Sequence, residues 1–172
     1  MALSVDANGN GMYDSHKLGD APFPRSLQIS AAITTQIFSL THSLNYFRSL
    51  ELDSHHKVAN MGLKSLTYQD GNETNKVDYN YTEKRAAQEL TEIFERIGNV
   101  EEQIGRLEYA IKYDRLSLPQ ELNQIQEALD DHNYIEPALM IPTLEKISAN
   151  PRMMHLAQAR AQEIVERIKG DK

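Results

Sequence analysis

The side chains with the clearest chemical potential stand near the start of the chain. Asp6, Asn8, Asn10 and Asp14 offer carboxylate and amide oxygens at close spacing, with Gly9 and Gly11 between them. Oxygen donors on a glycine-bent loop suit a hard cation such as calcium. The six histidines, His16, His42, His55, His56, His132 and His155, form no H-E-x-x-H or E-x-x-H pair of the kind that marks a helical metal site. His55 and His56 are adjacent, so on a helix they would point about 100° apart and could not converge on one ion. No G-x-S-x-G, Walker or Rossmann signature occurs. With no cysteine there is no disulfide, thiolate metal site or cysteine nucleophile. Glu89, Glu92, Glu95, Glu101, Glu102 and Glu108 interleave with Arg85, Arg96, Arg106 and Lys112, the pattern of a solvated helix face rather than of a catalytic dyad. No catalytic residue and no cofactor is therefore nominated.

The run Asp6-Ala7-Asn8-Gly9-Asn10-Gly11-Met12-Tyr13-Asp14 resembles the start of a calcium loop of the EF-hand or dockerin type, D-x-N-x-N-G. That resemblance implies side-chain ligation by Asp6, Asn8 and Asn10, a sharp turn at Gly11, a carbonyl from Met12 and a water-mediated contact from Asp14. It spans nine residues and departs from the pattern at Lys17, where the family places a bidentate acid. A calcium-responsive adaptor is the function it would imply.

These residues must be positioned by the elements that follow. The chain has 172 residues and a formal charge of −7, from 18 Lys plus Arg against 25 Asp plus Glu. One domain fits that length, and the acidic balance argues against a nucleic-acid partner. Residues 1–25 carry Gly9, Gly11, Gly19, Pro22 and Pro24 and few large apolar side chains, which predicts an extended or flexible arm with no core of its own. From Ser26 the periodicity is helical: Ile33, Ile37, Leu40, Leu44 and Phe47 follow a heptad seam that resumes at Val58 and Met61 after a break near Leu52. A second seam runs through Ala86, Leu90, Ile93, Ile97, Val100, Ile104, Leu107 and Ile111, with Gly98 and Gly105 beside it as points of close backbone approach. Pro119, Pro137 and Pro151 open shorter helices. No segment alternates strongly enough to predict a strand. The expected fold is all-α: a long coiled-coil-like helical hairpin over 26–112, buttressed by shorter helices over 119–170 and preceded by the arm.

Between Arg25 and Arg48 lie 22 residues without a formal charge, Ser26 to Phe47. Eleven of them are Ser, Thr, Gln, Asn or His, too polar for a membrane span. A surface helix usually carries charge on its outer face, and loss of charge marks the centres of interfaces. Either this helix is covered by the chain's own elements, or Thr35 and Ser39 join Ile33, Ile37, Leu40, Leu44 and Phe47 in a surface for a partner. No signal peptide is present at Met1–Asp6, so a cytoplasmic protein, or one exported by a signal-independent route, is expected.

The leading functional expectation is a non-enzymatic structural subunit that assembles with itself or a larger complex through helix packing and the arm. A polar N-terminus ahead of coiled-coil helices, with no Cys and no Trp, also looks like the tip and filament subunits of bacterial secretion machines.

Overall fold

The computed structural model describes residues 1–15, 24–54, 59 and 62–170. It corrects the all-α expectation: the described residues form five α-helices and two antiparallel sheets, of three and two strands. The described residues of 26–112 do not form a helical hairpin. Five strands occupy Ala2–Val5 (β1), Asn10–Asp14 (β2), Arg25–Gln28 (β3), Lys64–Asp70 (β4) and Glu73–Tyr79 (β5). The helices are Ala31–Ser43 (α1), Arg85–Tyr113 (α2), Leu118–Asp130 (α3), Ile141–Ser148 (α4) and His155–Gly170 (α5). Val58 and Met61, where the first seam was expected to resume, lie outside the described residues.

The chain divides into two compact units, one of residues 1–4, 11–28 and 95–172, the other of 5–10 and 29–94. In the first unit the segment expected as an arm is instead a sheet of order β1-β2-β3. Alternation carries it. Gly11 and Tyr13 of β2 and Leu27 of β3 are buried, while their neighbours Met12, Ser26 and Gln28 are exposed. The helical part of this unit has one apolar core. Val100, Ile104 and Leu107 of α2 meet Leu118, Leu122 and Ile125 of α3, Leu144 and Ile147 of α4, and Ala157, Ala161 and Ile164 of α5. From Val100 on, the second seam thus buries its face against three short helices rather than one long antiparallel partner. Pro142 stands in the first turn of α4, where its missing N–H costs nothing.

The glycine spacing beside that seam has an intramolecular use. A Cβ on Gly98 would collide with the sulfur of Met1 and would lie 3.8 Å from the Tyr13 ring, so the N-terminal sheet rests on this part of α2. Arg25 of β3 fixes it there. Its guanidinium donates to the backbone oxygen of Glu101 and pairs with the carboxylates of Glu101 at 3.2 Å and Glu108 at 3.3 Å. The Tyr13 ring lies 5.6 Å from the same guanidinium.

In the second unit β4 and β5 form an antiparallel hairpin in the register Asp70↔Glu73 to Lys64↔Tyr79. Its two-residue loop, Gly71-Asn72, begins with a φ of +56°, a conformation glycine adopts without strain. Leu66, Val77 and Tyr79 are the buried side chains of the hairpin, and the Tyr79 hydroxyl is hydrogen-bonded to that of Thr91 on the first third of α2. Asp53, just past the break expected near Leu52, accepts the backbone N–H groups of Asn80 at 2.9 Å and Tyr81 at 3.2 Å. None of the described helices is long and apolar enough to cross a membrane.

Candidate interaction site

Helix α1 has thirteen residues and one buried side. Thr34, Ile37 and Thr41 face inward and are buried. Ala31, Ala32, Thr35, Gln36, Ser39, His42 and Ser43 face outward and are exposed, and none carries a formal charge. Within that outer face Thr35, Ser39 and His42 fall 4 and 3 residues apart, which sets them in one row along the helix. The hydroxyls are partly self-satisfied. Thr35 Oγ1 donates to the Ala31 carbonyl at 2.7 Å and Ser43 Oγ to the Leu40 carbonyl at 2.7 Å. Their donors therefore need no water, which lowers the cost of covering the face.

The residues named as a possible interface divide accordingly. Ile37, Leu44 and Phe47 are buried within the chain, and Ile33 and Leu40 are half-buried. Thr35 and Ser39 are exposed.

At the end of α1 the backbone does something costly. Asn45, Tyr46 and Phe47 have φ of 53°, 53° and 62°, and Ser49 has 48°. Side-chain-bearing residues in the left-handed region cost roughly 1–2 kcal/mol each, so such a run persists only where its surroundings hold it. Phe47 is anchored in the core at 4% exposure. The Tyr46 ring lies between His42 of α1, edge-on at 5.4 Å, and Tyr68 of β4 at 4.8 Å. Arg48 covers Tyr46 with its guanidinium 5.8 Å from the ring centre and forks onto Glu73 of β5 through two 2.6 Å hydrogen bonds. Asn75 adds a third hydrogen bond to Glu73 at 3.2 Å. Arg48 holds the Glu73 carboxyl below its ordinary value. Loss of water, followed by the neighbouring Asp70, pushes the Tyr68 phenol up. The turn carries the uncharged row of α1 into a cluster of three rings edged by an ion pair. The left-handed turn, Tyr68 and the Arg48–Glu73 pair were not anticipated from sequence; Asn45, which tolerates positive φ, was the only local hint.

The proposed calcium ligands occupy a different kind of loop. Asp6 to Gly9 link β1 to β2, and a strand, not a helix, follows. Asp6 Oδ1 accepts the N–H groups of Asn8 at 2.9 Å and Asn10 at 2.8 Å, and Oδ2 accepts the Asn10 side-chain amide at 2.8 Å. The Asn10 side-chain bond is the main reason the Asp6 carboxyl is held below its ordinary value. The aspartate is committed to shaping the turn. Asp14 stands at the far end of β2. Among the described residues no group of three or more His, Asp or Glu could hold a metal ion. Lys17, His16, His55 and His56 lie outside the described residues.

Compared with protein-family models, curated proteins and solved structures, the chain shows no significant match to any of them. Of the two helices expected as a coiled coil, α2 is a helix, while the described residues of 26–68 form the end of β3, α1, a left-handed turn and most of β4.

Proposed function

We propose that the protein is a non-enzymatic structural subunit that assembles through the outer row of α1 and the ring cluster at its end, taking another copy of the chain or a component of a larger complex. One observation carries this reading: an exposed helix face with no formal charge that leads into partly buried aromatic rings held by a strained turn. Uncharged centres with tyrosine anchors and ion pairs at the edge are the anatomy of protein interfaces. Strain maintained at a surface is also commoner at binding sites than elsewhere. The reading no longer involves a coiled coil or a free N-terminal arm.

Light scattering on the full chain, with circular dichroism alongside, tests it. Thr35→Glu and Ser39→Lys each place an unpaired charge in the row, which would cost several kcal/mol in a desolvated contact and under about 0.5 kcal/mol on a wet face. Falling mass with unchanged helicity supports the interface. Unchanged mass and unchanged stability in both variants would remove it.

A further inference from the structure

A second row on the first unit has a different character. Glu95, Asn99, Glu102, Arg106, Tyr109 and Tyr113 of α2 are spaced 4, 3, 4, 3 and 4 residues apart and are all exposed. That spacing draws one straight row on the side of the helix opposite the buried Ile97, Val100, Ile104 and Leu107. Its C-terminal end is unusually apolar for a wet surface: Tyr109 and Tyr113 are 62% and 65% exposed, their rings stand 5.1 Å apart, and Leu116 beyond them is 82% exposed. On the row itself the charges are Glu95 and Glu102 toward the start and Arg106 toward the end, with Lys112 beside the row 4.9 Å from the Tyr113 ring centre.

Such a row is complementary to itself when reversed. A two-fold axis at the level of residue 104 sets Glu102 opposite Arg106, Asn99 opposite Tyr109, and Glu95 opposite Tyr113 with Lys112 alongside. Each pairing occurs twice by symmetry. Glu102 and Arg106 already pair within the helix at 2.7 Å, so the two copies would close a ring of four alternating charges. The amide and carboxylate oxygens at 99 and 95 would meet the phenol hydroxyls of the tyrosines. A parallel copy would instead stack Glu on Glu and Arg on Arg. We propose that the outer row of α2 is a self-association surface whose occupant is the same row of a second copy, running antiparallel. This surface is independent of the α1 row. Because its ion pairs are exposed, the contact is weak and salt-sensitive.

Exchanging charges tests the register directly. Sedimentation or light scattering of the full chain across a concentration series at low salt should show a monomer–dimer equilibrium. Glu102→Arg sets Arg against Arg twice, and Arg106→Glu sets Glu against Glu twice, so each alone should weaken association by about tenfold or more. Mixing the two single variants should restore dimers as a heterodimer, and the double variant E102R/R106E should self-associate like the parent. Thr35→Glu on α1 leaves this contact intact, so the two surfaces report separately. A parent that stays monomeric at every concentration overturns the proposal. So does a pair of single variants that associate like the parent, or a mixture that fails to recover dimers while circular dichroism shows both variants folded.

Discussion

Two glutamates each face an arginine, and their carboxyl groups are shifted in opposite directions. Glu73 meets Arg48 on the hairpin unit with both side chains about half exposed, and the arginine holds it below its ordinary value. Glu101 meets Arg25 beneath the N-terminal sheet with its side chain 5% exposed, and burial pushes it above its ordinary value although Arg25 pulls the other way. The partner is the same kind of group, but Arg48 forks onto Glu73 at 2.6 Å whereas Arg25 meets the Glu101 carboxylate at 3.2 Å. Hydrogen bonding and water both differ: side-chain bonds from Arg48 and Asn75 outweigh the modest desolvation of Glu73, whereas desolvation of Glu101 outweighs the attraction it gains from Arg25. The Arg25–Glu101 pair serves as a clamp between β3 and α2. The Arg48–Glu73 pair orients a surface turn.

The largest consequence falls on the clamp. Arg25→Ala leaves Glu101 buried without its counter-ion, and should destabilise the protein by about 2–4 kcal/mol. Glu101→Gln removes the buried charge itself and should change stability by about 1 kcal/mol or less, because the amide stays in place and Arg25 retains Glu108 and the Glu101 carbonyl. The double variant should recover at least half of the loss. Urea melts of the three proteins at neutral pH measure all of this. Equal losses for the two single changes would mean that the pair is no more than packing.

The pH dependence follows with a definite sign. For Glu101 the folded state binds its proton more tightly than the unfolded chain, so this group's contribution to stability declines as pH rises from the ordinary glutamate value through the raised one. Lowering pH from neutrality toward the ordinary glutamate value should therefore improve the parent relative to Glu101→Gln. Arg25→Ala should enlarge that gain, since removing the cation leaves only the upward push of burial and of Glu108. A parent-minus-Gln difference that does not move with pH would show that Glu101 is solvated after all.

These contrasts also show why some of the molecule could be read from its residues. The seam of α2 is written in large aliphatic residues at heptad spacing, and Ile97, Val100 and Leu107 are fully buried. Long periodic patterns of that kind are hard to satisfy in any other way. The hairpin buries only Leu66, Val77 and Tyr79, so its alternation is thin and its Asp70-Gly71-Asn72 turn reads as the end of a helix. The β1–β3 sheet hides for a related reason: glycine at 11 and a cluster of Asx residues suggest a loose arm, while the partner that orders it, Glu101, is 76 residues from Arg25. The α1 seam is real in content but not in path. Phe47 reaches the core through three left-handed residues rather than another helical turn. Of the site, the uncharged row at Thr35 and Ser39 was visible because charge is counted locally. Tyr68 and Glu73 were not, because the hairpin register that brings them to Tyr46 and Arg48 is a non-local pairing.

The smallest effect belongs to the surface pair, and its sign is opposite. The folded-state value of Glu73 is depressed, so whatever Arg48 contributes is present above the ordinary glutamate value and is lost as pH falls through the lowered one. Both groups are wet, so Arg48→Ala should change stability far less than Arg25→Ala, within the range usual for surface variants, and the difference should shrink further in molar salt. Its clearer trace should be local. Arg48 is the group that covers the Tyr46 ring and ties the left-handed turn to β5. Without it the turn should exchange its backbone amides faster than the parent while those of α2 keep their protection. Hydrogen exchange resolved by residue checks this. Protection lost in α2 as well would mean that the turn supports the whole fold, and unchanged protection at 45–49 would mean that the buried Phe47 and the ring contacts hold the strain by themselves.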